Sequence, residues 1–135
     1  MAKSDMDKLS KKGLTEKLPQ LECFPNSFKN YKITLNIPEY TSLCPKTGLP
    51  DFGTLTLYYV PDQWCVELKS FKTYIHAYRN LGISYENAVN RILKDFVSSA
   101  KPKWAYLRAL FTPRGGISSC IEVKFGNVPK EWKGT

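Results

Sequence analysis

The sequence predicts an α+β fold in which two antiparallel helices pack on one face of an antiparallel sheet. Apolar residues alternate with a period of two before residue 70 and again after residue 102, which is typical of strands. Between these segments the period changes to 3.6, which is typical of amphipathic helices. Because strands lie on both sides of a helix pair along the chain, one sheet covered by both helices is favoured.

The first half of the chain predicts a basic arm followed by three strands. Residues 1–20 are polar and lysine-rich with no clear period, so we expect a flexible N-terminal arm before a single domain spanning 21–135. Strand patterns follow at 31–40, 54–60 and 64–69. The stretch "SLCPKTGLPDFGT" connects the first two of these strands and is rich in Pro and Gly.

The second half predicts two helices and then two strands. Ser70 is a candidate N-cap for the first helix, and Gly82 is expected to end it. Ser84 is the candidate N-cap for the second helix, which should end near Ala100 before a proline. The two strands are expected at 103–111 and 117–125, joined through "TPRGG" as a hairpin.

Composition restricts the class of protein. The 135 residues suit one domain, and no segment is long and apolar enough for a membrane span or a secretory signal, so we expect a cytoplasmic protein. One histidine and no CxxC pair make a metal site unexpected. The net charge of +8 favours anionic partners such as a nucleotide, a phosphate or a nucleic acid, or indicates only a solvated basic surface.

The loop between the first two strands contains the candidate nucleophile of the sequence, Cys44. A thiolate there is able to attack an electrophilic carbon if Lys46 or backbone N–H groups lower its pKa. Asp51, seven residues later, is a candidate proton donor or acceptor close to that thiol. The residues alone favour a turn with an unreactive cysteine and a capping aspartate.

Further candidates are carboxylates and basic residues that suit a nucleotide-like ligand. Glu67 and Glu86 are able to accept hydrogen bonds from the N–H groups of a guanine-like base, although each also fits a structural role. A basic helix face and Arg114, before two glycines, are able to bind phosphate, or are simply a solvated face and a plain hairpin turn. The helix face is formed by Lys69, Lys72, His76 and Arg79.

Taken together, four motifs resemble one enzyme family. "CPKTGLPDFGT", "VELKSFKTY", "YRNLGISYENAVNRILKDF" and "FTPRGGI" resemble, in order and spacing, the NADPH-dependent 7-cyano-7-deazaguanine reductases of queuosine biosynthesis, in their short single-module form. The resemblance covers about residues 22 to 125. It implies reduction of a nitrile to an amine with two NADPH, through a covalent thioimide on Cys44 with Asp51 as the proton donor.

The resemblance also implies the binding residues. The positions that match the family's substrate site are Val66, Glu67, Leu68, Tyr85 and Glu86. Those that match its NADPH site are Leu68, Lys69, Ser70, Lys72, Arg114 and Gly115. The family usually has a histidine where this chain has Tyr85, and a tyrosine hydroxyl is able to keep the hydrogen bond without titrating near neutral pH.

For the fold, the resemblance implies the tunnelling fold and a homo-oligomer built as two stacked pentamers, with sites between subunits. It implies a small 7-deazaguanine substrate, with no membrane or direct nucleic-acid partner. Two alternatives stay open. A related group adds ammonia to the same nitrile in tRNA and lacks the cofactor-binding segment, and a basic RNA-binding protein would need no thiol.

Overall fold

The computed structural model describes residues 3–134, and the elements below lie in this range. The helices are α1 (Lys3–Lys11), α2 (Leu68–His76) and α3 (Tyr85–Ala100), with short 3-10 helices at Ala77–Asn80 and Lys130–Trp132. The strands are β1 (Cys23–Pro25), β2 (Ile33–Leu43), β3 (Pro50–Val60), β4 (Trp64–Val66), β5 (Trp104–Arg114) and β6 (Ile117–Phe125). None of the helices described here is long and apolar enough to cross a membrane.

The main sheet is antiparallel, and its two ends carry different loops. Its strand order is β2-β3-β5-β6, with Leu43 paired to Pro50 at one end and Ile33 paired to Tyr59 at the other. The β2–β3 loop and the β5–β6 turn at Gly115 therefore lie at the same end of the sheet. We call this the Cys44 end, and the opposite one the Tyr59 end.

Both predicted helices form, and they bury their apolar stripes against the sheet. The side chains of Phe71, Tyr74, Ile75 and Tyr78 are buried, as are those of Val89, Ile92, Leu93 and Phe96. The predicted start of the second helix is confirmed, because the Ser84 hydroxyl accepts a 3.1 Å hydrogen bond from the backbone N–H of Asn87. The helix ends at Ala100, followed by Lys101 in the left-handed conformation with φ of 47°.

The segment 64–69 differs from its predicted strand. Only Trp64–Val66 is extended, and it pairs with β1 in a separate two-stranded sheet that the sequence analysis did not predict. The reason is Glu67, whose carboxylate accepts 2.7 Å hydrogen bonds from the N–H groups of Lys69 and Ser70 and so starts α2 at Leu68. The predicted N-cap, Ser70, is therefore wrong by three positions.

The N-terminal segment contains a helix, α1, and contacts the core. Asn87 of α3 donates a 2.8 Å hydrogen bond to the carbonyl of Ser10, and Arg91 donates to the carbonyls of Gly13 and Glu16. The sequence analysis predicts neither the helix nor these contacts. A Lys-rich helix of nine residues has no periodic apolar pattern, and hydrogen bonds to backbone carbonyls do not depend on the side chains of residues 10–16. The division of the chain at residue 20 stays a prediction.

Candidate active site

The Cys44 loop is closed by its own backbone. Cys44 directly follows β2, its N–H donates a 2.8 Å hydrogen bond to the carbonyl of Leu49, and its carbonyl accepts one of the same length from Gly48. Gly48 has a φ of 73°, a conformation that residues with a side chain rarely adopt. These bonds hold the thiol at a defined place at the end of β2.

The surroundings of Cys44 favour its thiolate. The residue is half-buried, and this burial alone raises the pKa of the thiol. Against it, hydrogen bonds from the Thr47 hydroxyl and from the backbone N–H groups of Thr47 and Lys46 lower the pKa. A further hydrogen bond from Arg114 adds to them, so the pKa of Cys44 lies below its ordinary value, as a nucleophile requires.

Asp51 lies beside this thiol, buried under two hydrogen-bond donors. It is the second residue of β3, and its side chain is 3% exposed. The guanidinium of Arg114, at the end of β5, forms an ion pair with Oδ1 of Asp51, and the charge of Asp51 raises the pKa of Arg114 most. Arg114 also donates to Cys44, so one guanidinium contacts both candidate catalytic side chains.

Tyr85, which replaces the family histidine, reaches the same carboxylate. Its hydroxyl donates a 3.3 Å hydrogen bond to Oδ1 of Asp51, and its ring stacks on Phe111 of β5 with centroids 3.9 Å apart. Burial raises the pKa of Tyr85, and the charge of Asp51 raises it further, so the hydroxyl stays protonated and donates. Glu86 follows in the first turn of α3 and is exposed beside this group.

The remaining predicted site residues lie at the Tyr59 end of the sheet. The N–H of Val66 donates a 3.2 Å hydrogen bond to the hydroxyl of Tyr59. Tyr59 is separated from Asp51 by eight positions of one strand, which is about 25 Å at a rise of about 3.3 Å per residue. One chain therefore brings together Cys44, Asp51, Tyr85, Glu86, Arg114 and Gly115, and places Val66, Glu67, Leu68, Lys69, Ser70 and Lys72 elsewhere.

The residues at the Tyr59 end differ in what they offer a ligand. Val66 is buried, and the hydroxyl of Ser70 is bonded to the carbonyl of Glu67 and to the N–H of Glu22, so neither side chain points to solvent. Leu68, 60% exposed, and Lys72 line a groove of about 430 Å³ between α2 and β2. The carboxylate of Glu67 keeps unused acceptor sites beyond its two backbone bonds.

Cations suited to a dinucleotide phosphate are present at both ends. Lys69 and Lys72 are exposed, and the ion pairs in the described part of the chain include neither. Arg114 is 42% exposed, and Gly115 beside it has a φ of 58° with open space around its Cα. These residues fit the phosphates of NADPH, whereas residues 3–134 contain no cluster of His, Cys, Asp and Glu suited to a metal ion.

Several site residues were missed by the sequence analysis. Phe111 supports the ring of Tyr85, Thr47 hydrogen-bonds to Cys44, and the buried Tyr40 and Ser42 lie on β2 next to Asp51. Thr47 and Ser42 lie within the quoted loop, so the hydroxyl-bearing residues of this loop are a signal present in the sequence. In the sequence, Phe111 and Tyr40 are indistinguishable from core residues, because strand pairing decides that they lie next to Tyr85 and Asp51.

Comparison with known proteins gives consistent matches. A family model described as "QueF-like protein" matches residues 50–130. A relative from Elusimicrobium minutum is 50% identical over 117 residues, covering 86% of this chain and 89% of its own length. One from Chlorobium phaeovibrioides is 52% identical over 103 residues, covering 75% and 89% respectively. Both are named NADPH-dependent 7-cyano-7-deazaguanine reductase.

Among solved structures, an archaeosine synthase, "QueF-Like in the apo form", has a TM-score of 0.69 and 19% identity. The match covers 76% of this chain and all of that one, and at this identity it shows the fold alone. With the antiparallel sheet and its helices, it confirms the predicted α+β tunnelling fold. The family model and the relatives at about 50% identity show that the chain belongs to the NADPH-dependent 7-cyano-7-deazaguanine reductase family.

Proposed function

We propose that this protein reduces the nitrile of 7-cyano-7-deazaguanine to the aminomethyl group, using two NADPH. The observation that carries the proposal is the meeting of Cys44, Asp51, Tyr85 and Arg114 at one end of the sheet. A nucleophile with a lowered pKa beside a buried carboxyl group is what addition to a nitrile needs. The names of the relatives give the substrate class and the cofactor.

Cys44 and Asp51 carry the covalent step. The Cys44 thiolate forms a carbon–sulfur bond with the nitrile carbon, and one C≡N π pair moves to nitrogen. Asp51 supplies the proton that this nitrogen takes up, which avoids a buried anion and leaves a neutral thioimide. Asp51 remains as a carboxylate, for which Arg114 and Tyr85 are the donors present in the structure.

NADPH, when bound, supplies the two hydrides that convert the thioimide carbon to the amine carbon. Cys44 leaves as a thiolate after the first reduction, and its lowered pKa makes it a good leaving group. Arg114 and Gly115 would hold a phosphate of the cofactor close to Cys44, and Lys69 and Lys72 would hold the remainder. The ion pair of Arg114 with Asp51 has to open when the base binds, so that the carboxyl group takes up the proton that it gives to the nitrile nitrogen.

The base itself needs a second chain. A carboxylate that accepts the N–H groups of a 7-deazaguanine ring must lie within about the length of the base from the nitrile, and Glu86, next to Tyr85 at the start of α3, is the candidate within one chain. Glu67 is not, because α2 and its 3-10 extension carry the chain roughly 20 Å from Leu68 to the Cys44 end. We therefore propose that Glu67, with Val66 and Leu68, completes the site of a neighbouring copy.

The sheet offers the edges for such an assembly. β2 and β6 are the two edges of the main sheet, and they run antiparallel to each other. An edge strand of one copy is able to pair with the opposite edge of the next, which repeats around a closed ring and removes exposed edges. The proposed assembly is a homo-oligomer of two stacked pentamers acting in the cytoplasm, with no direct nucleic-acid partner.

The alternatives fit the observations less well. Formation of an amidine on tRNA needs the thiol and the carboxyl group but no cofactor. This chain retains the segment "ELKSFK", whose two exposed lysines suit the phosphates of a cofactor. The archaeosine synthase is similar at only 19% identity, against about 50% for the reductases. A basic RNA-binding protein would leave the buried Asp51 and its ion pair without a purpose.

The test is NADPH consumption with the free nitrile base. The proposal predicts two NADPH oxidised per amine formed, and no activity for Cys44→Ala. Cys120→Ser is the matched control, because Cys120 is a free thiol on β6 and strand pairing at this edge uses the backbone, so the change should leave activity unchanged. Amidine formation from nitrile-containing tRNA and ammonia without NADPH would overturn the proposal, as would RNA binding with no turnover.

A further inference from the structure

Two buried hydroxyl groups lie next to Asp51 and are not part of the reaction described above. Tyr40 and Ser42 alternate on β2, so both point to the buried face, and each is 1% exposed. Ser42 is the direct cross-strand partner of Asp51, a position at which Cβ atoms lie about 5 Å apart. Ser42 is thus the hydroxyl-bearing side chain behind the catalytic carboxyl group.

Neither hydroxyl has a hydrogen-bond partner among the described residues. Other buried hydroxyls of this protein do have one: Tyr59 accepts from Val66, and Tyr74 donates to Asp95 at 2.6 Å. A buried hydroxyl without a partner costs free energy, so each such group in a native protein calls for an explanation, of which a role in catalysis is one. The core therefore satisfies its hydroxyls elsewhere and leaves two unsatisfied beside Asp51.

The charge of Asp51 acts on Tyr40, and Ser42 is near both through its pairing with Asp51 and its place two residues from Tyr40 on β2. Burial raises the pKa of Tyr40 most, the nearby Ser42 hydroxyl lowers it, and the charges of Tyr78 and Asp51 raise it further. Ser42 is thus close enough to influence Tyr40 without hydrogen-bonding geometry between them. Both described hydrogen bonds of the Asp51 carboxylate go to Oδ1, from Arg114 and Tyr85 on its outer side.

A proton donor changes its hydrogen-bonding needs during turnover. As a carboxylate, Asp51 only accepts, and as a carboxylic acid it also has an O–H to donate. Arg114 only donates, so it suits the ionised form and offers no acceptor for the O–H of the carboxylic acid. A serine hydroxyl donates to a carboxylate and accepts from a carboxylic acid by rotating about one bond, so it suits both forms.

We propose that Ser42, supported by Tyr40, is a positioning residue whose hydroxyl, unpartnered in the free protein, turns to Asp51 from the inner side once the base is bound and holds it in both protonation states during thioimide formation. Ser42 neither gains nor loses a proton in this step. The proton moves from Asp51 to the nitrile nitrogen as the Cys44 sulfur bonds to carbon. The Ser42 hydroxyl accepts a hydrogen bond from Asp51 before this transfer and donates one to it afterwards. This inference rests on the proposed function, because it assigns a role within that reaction.

The inference predicts that Ser42→Ala slows thioimide formation without lowering the melting temperature. Ser42→Ala removes a hydroxyl without a partner, so its melting temperature should equal or exceed that of the native protein. Thioimide formation, followed by stopped flow with 7-cyano-7-deazaguanine and no NADPH, should be roughly ten- to a hundredfold slower at saturating base. The affinity for the base should not change, and Ser42→Thr should restore most of the rate.

Matched variants separate this role from a structural one. Ser70→Ala and Tyr74→Phe remove buried hydroxyls that have partners, so both should melt at lower temperature, unlike Ser42→Ala and Tyr40→Phe. A Ser42→Ala protein that forms the adduct at the native rate would overturn the inference. So would a melting temperature lowered as in Ser70→Ala, or a Ser42→Thr protein as slow as Ser42→Ala.

The proposed function and this inference fail differently. If the native protein forms no adduct with the nitrile, the proposed function itself is wrong, and this is seen before any variant is compared. If the native protein forms the adduct and Ser42→Ala forms it equally fast, only the inference is wrong.

Discussion

At the scale of single residues, the reactivity of Cys44 depends on donors that its own loop supplies. The Thr47 hydroxyl and two backbone N–H groups lower the pKa of the thiol, in opposition to burial. Cys23 lacks such donors, and burial raises the pKa of its thiol, with the neighbouring Cys65 adding to this. The two cysteines are therefore expected to differ in reactivity as a consequence of their local hydrogen bonds.

Removal of the Thr47 hydroxyl should make Cys44 less reactive near neutral pH. In Thr47→Val one donor to the thiolate is lost, so the midpoint of the pH dependence of alkylation should move to higher pH. Peptide mass spectrometry after iodoacetamide treatment measures this for each cysteine separately. Thr34→Val, on exposed β2 surface far from the loop, is the matched control. An unchanged midpoint in Thr47→Val would contradict this description of the site.

Tyr85→Phe tests the hydroxyl that replaces the family histidine. The ring still stacks on Phe111, but the hydrogen bond to Asp51 is lost. We expect kcat to fall about three- to tenfold with little change in KM for the base, since this bond acts on the proton donor. Steady-state kinetics of NADPH oxidation measures both quantities. Unchanged kcat and KM would show that the hydroxyl has no role.

At the scale of elements, the start of α2 depends on a single carboxylate. Glu67 caps the helix through two backbone N–H groups, which lower the pKa of its carboxyl group below the ordinary value of 4.5. A carboxyl group whose pKa is lower in the folded state stabilises the fold above its unfolded pKa, and this contribution is lost as the pH falls through the folded pKa. The helix is therefore expected to weaken in acid.

Glu67→Gln should reveal this pH dependence. The native protein should melt at a higher temperature than the variant at pH 6 to 8, and the difference should shrink as the pH falls below about 4.5. Thermal unfolding followed by circular dichroism across this range measures it. Glu39→Gln, an exposed glutamate on β2, should show no such trend. A difference that stays constant down to pH 3 would contradict the capping role.

Much of the fold follows from sequence periodicity, and its exceptions have physical causes. Both helical stripes are buried as predicted, and the strands 31–40, 54–60, 103–111 and 117–125 lie within or close to β2, β3, β5 and β6. The strand predicted at 64–69 was too long, because the Glu67 side chain starts a helix where the apolar alternation continues. Strand β1 was missed because its three residues are too few to show an apolar alternation.

The candidate site was predicted as a set of residues but not as an arrangement. The motifs gave Cys44, Asp51 and Arg114, while their convergence depends on strand register, which brings two loops to one end of the sheet. The position of Glu67 at the opposite end of the sheet, roughly 20 Å away along α2 and its 3-10 extension, is likewise invisible in a linear motif. The hydroxyl of Ser42 differs from others only in its missing hydrogen-bond partner, which depends on the three-dimensional arrangement and not on the sequence pattern.

At the scale of the whole molecule, a complete site is proposed to need two chains. If Cys44 and Glu67 act from different copies, Cys44→Ala and Glu67→Ala proteins should each be inactive alone but active when co-expressed. Random mixing leaves about one quarter of the sites with both residues intact, so about one quarter of native activity is expected. Native mass spectrometry gives the subunit number and verifies mixing. Mixed oligomers without activity would contradict a shared site.

The central claim is that Cys44 adds covalently to the nitrile, and intact-protein mass spectrometry tests it most directly. The native protein, incubated with 7-cyano-7-deazaguanine without NADPH, should gain the full mass of one base per chain, because addition expels no group. Peptide mapping should locate this mass on Cys44, and NADPH should discharge it. No adduct at saturating base, or an adduct that persists in Cys44→Ala, would contradict the account.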